Sequence, residues 1–435
     1  MRSPGLSSLL ERVAALEAEA RRPSDWLALA DLYSQTETCD PLDHRLPANR
    51  GNALWLADCP QEALHAYWRA AQLAPSDPVV LRGLGNVQLD LNAFELAEQA
   101  YARSMQLDPA ALTAWNRSQV LIGLERYPEG YAQAEERWRI PSHRPWRELA
   151  AGGVTTLDQL QEPLLVWSEQ GLGDTLQHLR WLGPLQAQRG PEAPLVLELE
   201  PCLVPLFRQA LPSHLGSLEI RAKPDGPAPP WPHRHISLLS LPWLLKGAPI
   251  PAGATWLDAA NWSPSRPLSE GRPARIGLVW AAGRKLDHPV TAREYHRRSL
   301  DQRALGSLLE GLHSLGVVIV PLQFGEEQAQ VDPWRRLLSQ GLAADADFAT
   351  TAALVADLDL VLSVDTSMAH LVGAMRRRGW LLLPHAAAPR WLRTRPDSPW
   401  YPSLRLFRQP RTGDWQGVVD AVIAALASEL EGRMC

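Results

Sequence analysis

Lysine is almost missing from this chain: Lys223, Lys246 and Lys285 are the only ones among 43 Lys and Arg residues, so positive charge is arginine's business. We read that bias as base composition, not function. The 43 basic residues face 48 Asp and Glu, for a formal net charge of −5. Bulk nucleic-acid binding needs a basic surplus, so no nucleic-acid partner is expected. Long apolar runs are also lacking. Nothing approaches the ~20 residues that cross a bilayer, so no transmembrane segment is expected. The opening MRSPGLSSLLERVAALEAEA carries Glu and Arg through its apolar stretch, the pattern of an amphipathic helix and not of a signal peptide. Cysteine is sparse: Cys39, Cys59, Cys202 and Cys435 lie far apart with no CxxC pair. Neither a zinc site nor a disulfide framework follows, and a reducing cytoplasm fits. HExxH, Walker A and Ser–His–Asp spacings are missing too, which removes support for hydrolase or ATPase chemistry. What is present is 435 residues at 46% hydrophobic, enough for two or three domains, each with its own core.

The first third repeats. Gly51, Ala63, Tyr67, Ala70 and Pro75 recur as Gly85, Ala97, Tyr101, Ser104 and Pro109, a shift of 34 at every position. That is the tetratricopeptide period. Small residues let two antiparallel helices approach, the Tyr fills the gap, and the Pro closes the second helix. A weaker copy starts near Trp115 and ends in ERYPEGYAQAEERWRI, keeping aromatics and losing small residues; residues 5–38 offer one more degenerate pair. Residues 1–140 thus read as a helical repeat domain, a type that commonly binds a protein partner on its curved surface.

After Pro141 the pattern changes. Strand-like runs at 164–169, 195–200, 276–281, 316–322, 358–364 and 380–384 alternate with helical stretches. Alternation of this kind predicts parallel sheets covered by helices, in two doubly wound halves over 141–262 and 263–435. The breaks are PDGPAPPWPHRH (224–235) and a Pro-rich linker at 261–273, and the last helix, 414–430, is expected to return onto the first half. Two such halves would hold a ligand in the cleft at the carboxyl ends of their strands.

Three junctions could carry chemistry. The first strand runs through Glu169 and Gln170 into Gly171-Leu172-Gly173-Asp174, where glycines let backbone approach a ligand and Asp174 either faces the cleft or caps its helix. It is not a dinucleotide fingerprint, since Leu176 stands at the third glycine position. A second strand delivers Asp365, Thr366 and Ser367 to a helix start whose free N–H groups suit a phosphate, with His370 one turn on. The plainer alternative is Thr366 as N-cap and His370 as a core histidine. In the third, Gly283, Arg284 and Lys285 end a strand, and Arg298 and Ser299 follow in the same long loop; such cations could neutralise a diphosphate. Arg293 and Arg297 read as solvated loop residues. Asp345-Ala-Asp347 and Asp357-Leu-Asp359 mimic a metal-binding DxD, but the first precedes a helix as a cap and the second enters a buried strand.

Together, EQGLGDTLQHLRWL, the IGLVW…R-S-L stretch and DLVLSVDTSMAHLVGA…WLLLP resemble the heptosyltransferase-like glycosyltransferases, and most closely bacterial proteins in which tetratricopeptide repeats precede such a domain. The resemblance covers about 163–425 and includes Trp391 within APRWLRTRPDSPWYP. It implies a GT-B fold of two Rossmann-like halves, an inverting reaction without a metal or other cofactor, a nucleotide-sugar donor in the second half, and an acceptor in the first. On this chain it makes Asp174 the general base. Gly171, Gly173, Arg284, Lys285, Arg298, Asp365, Thr366, Ser367 and His370 become the donor side. Ser367 and Met368 stand where that family has Gly and Pro, and the first half is short, so ADP-heptose is not implied as donor. The expected function is transfer of a sugar to a protein or glycan acceptor presented by the repeats. The alternative is an interaction scaffold with an inactive transferase-like half.

Overall fold

The computed structural model describes residues 4–431, apart from 144, 146, 149–151, 162, 191–192, 212–214, 216–217, 247–256 and 258–271. It begins with helices α1 (Pro4–Glu19), α2 (Pro23–Cys39), α3 (Arg45–Leu56), α4 (Pro60–Leu73), α5 (Pro78–Asp90), α6 (Phe94–Leu107), α7 (Ala111–Gly123) and α8 (Tyr127–Ala134). They form antiparallel pairs, each stacked on the next. The register explains why. A Cβ on Gly51 would lie 2.7 Å from the Tyr67 ring, and one on Gly85 would lie 2.5 Å from the Tyr101 ring. Only glycine lets α3 and α5 approach closely enough for those rings to plug the gap, and Ala63, Ala70 and Ala97 complete the buried contact. The turns inside the last three pairs pass through Asp58, Asn92 and Glu125, all left-handed at φ 60°, 58° and 59°. In the last pair the pattern is gone: 34 residues beyond Gly85, Ala97 and Tyr101 stand Gln119, Tyr131 and Glu135.

Two parallel sheets follow. The first holds β1 (Leu164–Trp167), β2 (Leu195–Leu199), β3 (Leu218–Ala222) and β4 (Arg234–Ser237) in the order β3-β2-β1-β4. The second holds β5 (Arg275–Val279), β6 (Val318–Pro321), β7 (Leu360–Val364), β8 (Gly379–Leu383) and β9 (Leu404–Arg408) in the order β6-β5-β7-β8-β9. β1, β7 and β8 are buried along their whole length, as their unbroken apolar runs require. Strand order reverses at β1/β4 in the first sheet and at β5/β7 in the second. Each reversal opens a crevice at the carboxyl ends of the strands.

Several expectations need correction. β3, β4 and β9 are strands that the apolar-run criterion missed. β3 is a largely exposed edge, and β4 reads as polar because His235 and Ser237 are buried with partners; Trp167 Nε1 donates to His235 Nδ1 at 3.2 Å. Residues 224–233 are therefore the β3–β4 connection inside one sheet, and 234–235 open β4. Of the 261–273 linker only 272 and 273 are described, so the 262/263 boundary lies outside the described residues. The long loop after β5 contains a helix, Pro289–Arg298, started by Pro at its first turn. The last helix, Trp415–Glu431, packs on the helix Gln302–Ser314 and on β9 within the second half, where Ile423 fills the space over Gly311.

Arg293 and Arg297, expected in solvent, dock the repeats instead. Arg293 is 4% exposed. Its Nη2 reaches Asp58 Oδ1 at 2.8 Å and Asp90 Oδ2 at 2.5 Å, its guanidinium lies over Trp55, and Arg297 Nη1 reaches Asp90 Oδ1 at 3.1 Å. On Asp90 burial pushes the pKa up, and the two arginines more than reverse it, leaving it below the usual range. Asn92 donates to the His385 carbonyl at 2.9 Å, and Arg393 pairs with Glu95. The turns inside the helix pairs thus press onto the second half. Among the described residues no helix is long and apolar enough to cross a membrane.

Candidate functional site

The two crevices face each other. Helix α9 (Leu172–His178), which follows β1, packs its first turn against the helix Ser367–Ala374, which follows β7. A Cβ on Gly173 would sit 2.8 Å from His370 Cδ2 and 3.5 Å from Ser367 Cα. Gly173 is therefore glycine because the other half of the molecule touches it. The chain enters this turn through Gln170, held at φ 61°, a left-handed conformation that costs a non-glycine residue on the order of 1–3 kcal/mol and gathers at functional sites.

Asp174 does two things at once. Its Oδ2 accepts from the Gly171 N–H at 3.2 Å, capping α9, while its Oδ1 accepts from Arg390 Nη1 at 2.9 Å, across the seam between the halves. The same Nη1 donates to Gln177 Oε1 at 2.6 Å. Burial would raise the Asp174 pKa, but the Arg390 guanidinium outweighs it and holds the carboxyl below its usual range. Asp174 is thus an ionised carboxylate with a cation attached.

Thr366 is the N-cap of its helix, its Oγ1 accepting from Met368 N at 3.2 Å. His370 is 3% exposed, with Nδ1 at 2.8 Å from Tyr401 Oη and its ring against Trp391. Burial, helped by Arg390, lowers its pKa well below 6.5, so the ring is neutral. The plainer readings of both residues hold, yet both stand at the seam. Thr366, Ser367 and Met368 line a cleft of about 770 Å³ together with Gly283, Arg284, Lys285 and Asp287 after β5 and Phe324–Glu327 after β6. Arg284 pairs there with Glu326 at 3.0 Å. Arg298 stands one layer back, its Nη1 bonding the Asp365 carbonyl at 3.3 Å, and Asp365 is 5% exposed. Sequence reasoning thus brought Arg284, Lys285, Thr366 and Ser367 to one cleft, and Gly171, Gly173, Asp174 and His370 to the seam beside it.

The acidic pairs do not share a ligand-sized site. Asp347 caps the helix Phe348–Ala356, and Asp359 is buried against Arg272 and the Arg275 N–H. Among the described residues no group of three or more His, Cys, Asp or Glu is placed to hold a metal ion. Glu169 is tied up at the first crevice: Arg137, 1% exposed and just past the last helix pair, reaches Glu169 Oε1 at 2.6 Å, Ser240 Oγ at 2.8 Å and Glu135 Oε1 at 2.6 Å. Sequence reasoning missed Arg390, Arg137 and Gln177. The visible signal for Arg390 was its place beside Trp391 in a segment already singled out.

A second opening lies on the repeat side of Asp174. It is narrow, about 70 Å³, and is walled by Trp115, Gln119 and Tyr131 of the last helix pair, by Gln170, Asp174 and Gln177, and by Arg390 and Trp400.

No family model matches the chain. It is 26% identical over 455 residues to the protein FlbA of Caulobacter vibrioides, across 92% of this chain and 71% of that protein. Among solved structures, the E. coli ADP-heptose LPS heptosyltransferase II is similar at 13% identity and a TM-score of 0.40, over 62% of this chain and 98% of that one. A mutant O-GlcNAc transferase of Thermobaculum terrenum is similar at 12% identity and a TM-score of 0.34, over 99% of this chain and 94% of that one. The architecture is a tetratricopeptide-like repeat region followed by two facing Rossmann-like halves of GT-B type.

Proposed function

We propose that the chain is an inverting, metal-independent glycosyltransferase that moves a sugar from a nucleotide-sugar donor to an acceptor carried by a protein or glycan on the repeat side. The observation that carries this is the meeting of Gly173-Asp174 with Ser367–His370 at the seam of two strand-reversal crevices. In this reading the donor's diphosphate lies in the 770 Å³ cleft, against the helix start at Ser367 and beside Arg284 and Lys285. Arg298 positions Asp365 from behind. His370 is neutral, and in the tautomer whose Nδ1 accepts from the Tyr401 hydroxyl its Nε2 carries the ring proton.

Asp174 takes the acceptor hydroxyl's proton as that oxygen bonds the anomeric carbon. The bond from that carbon to the diphosphate oxygen breaks, and the nucleoside diphosphate leaves with the electron pair. A carboxylate paired with Arg390 is a weak base, so its help is timed to the transition state, when the hydroxyl has become acidic. The test is a thermal-shift screen of the full chain against UDP-, GDP-, ADP- and dTDP-sugars. A ligand at 100 times its dissociation constant should stabilise by about 2.7 kcal/mol. No shift with any of them, alongside no turnover, would leave the chain a scaffold.

A further inference from the structure

Five consecutive residues, 389–393, touch the repeats at both ends and the seam in the middle. At one end Pro389 packs on α7 where Gly123 leaves room: a Cβ on Gly123 would lie 3.0 Å from Pro389 Cβ and 2.4 Å from the Phe94 ring. At the other end the Arg393 guanidinium lies over that same Phe94 ring, donates to the Asn92 carbonyl at 3.2 Å and pairs with Glu95 at 2.7 Å. Phe94, fully buried at the start of α6, thus stands between both anchors. Between the anchors Arg390 bonds Asp174 and Gln177 of the first half, and Trp391 lies against the His370 ring of the second. The strap is strained. Leu392, buried, is held at φ 56° and ψ −177°, a region that belongs almost wholly to glycine and costs another residue on the order of 1–3 kcal/mol. Arg408 Nη2 fixes it there, donating to the Trp391 and Leu392 carbonyls at 3.2 and 2.6 Å. Relaxing that one backbone position would turn 389–391 relative to Arg393, so the aim of Arg390 depends on both anchors. The carboxylate it aims at has Arg390 as its cation, because the two imidazoles beside it, His178 and His370, are kept neutral by burial.

We infer that Arg390 is a positioning residue for the base, and that the repeats govern its position: the strap 389–393 holds the Asp174 carboxylate in its working place only while α6 and α7 hold the two ends. Whatever shifts α6 against α7 then changes the rate of transfer and not the binding of the donor, whose cleft none of these five residues lines. The purpose rests on the transferase reading; the coupling does not. The first test therefore needs no substrate. In the full chain, Arg393→Ala removes the partly exposed anchor, and amide exchange should quicken about fivefold, the worth of one hydrogen bond, both at 390–392 and across 171–175 of the first half. Exchange that quickens at 390–392 and stays unchanged at 171–175 would overturn the strap. So would exchange unchanged at both, since the anchor would then hold nothing. The second test uses turnover of whichever nucleotide sugar the chain accepts. Arg390→Gln removes the cation that lowers the Asp174 pKa, so the acid limb of kcat/KM should move up by ~1–3 pH units while the donor's thermal shift stays the same. Arg390→Lys keeps the charge and should return the limb. An acid limb indifferent to Arg390→Gln would make Arg390 a structural tie and overturn its role. No turnover with any nucleotide sugar, alongside linked exchange, would sink the transferase reading and leave the coupling standing.

Discussion

In the first half, the crevice at β1/β4 is filled from outside: Arg137, delivered by the segment after α8, spends its guanidinium on Glu169, Ser240 and Glu135. In the second half, the equivalent crevice at β5/β7 is open, with Arg284 half exposed on its rim. The same topology therefore supplies one ligand cleft and one structural socket. The repeats are what turned the first into a socket, and their last pair lends its own side chains to the space that remains at Asp174.

The sharpest way to break this contrast is at the seam. Asp174→Asn keeps the cap on α9 and removes the base, so turnover should fall by about 10²–10⁴-fold with donor affinity retained. Normal turnover would move the base elsewhere. Next comes the socket. Arg137→Met leaves the partly buried Glu169 and Glu135 without their cation and should cost about 1–3 kcal/mol in urea unfolding. A loss under about 1 kcal/mol would mean the plug is dispensable. Gly173→Ala pushes a methyl into His370 and should cost about 1–3 kcal/mol while spreading the halves, read as weaker nucleotide binding.

Acid should act on the seam too. His178 has a lowered pKa, so the unfolded chain binds its proton more readily than the folded one. The stability it contributes is therefore present above about 6.5 and lost as pH falls from there to about 4. Urea midpoints measured across that range should decline, and His178→Asn should flatten part of the slope. The smallest effect belongs to the open cleft: Arg284→Gln removes an exposed pair worth ~0–1 kcal/mol, so melting should hardly change while donor affinity drops.

How much of this could be read beforehand divides by range. The 34-residue register was legible because Gly51–Tyr67 and Gly85–Tyr101 are local packing rules written in residue type. Six strands were legible because burial on both faces demands an apolar run; β3 broke that rule by exposure, β4 by pairing polar groups inside, and β9 by the arginines that interrupt its apolar residues. Gly173 and His370 stood out through their junctions, though nothing local said that they touch. Arg293 and Arg297 were misread for the same reason in reverse. Their i,i+4 spacing marks one face of a helix, but Asp58 and Asp90, which bury them, lie more than 200 positions away, and no pattern in 289–298 names those partners.

The docking of α7, α8 and the turn residues Asp58 and Asn92 also gives the solenoid a direction. A whole 34-residue unit added ahead of Arg45 would stack on α3 and leave the contacts of Asp58, Asp90, Asn92 and Glu95 to the second half in place. The same unit inserted after Leu107 would carry Tyr131 and Arg137 out of reach of Trp181 and Glu169. Lengthening is therefore tolerated from one end only. Natural variants of this architecture should differ in repeat number at the end remote from the sheets and be invariant in spacing next to them.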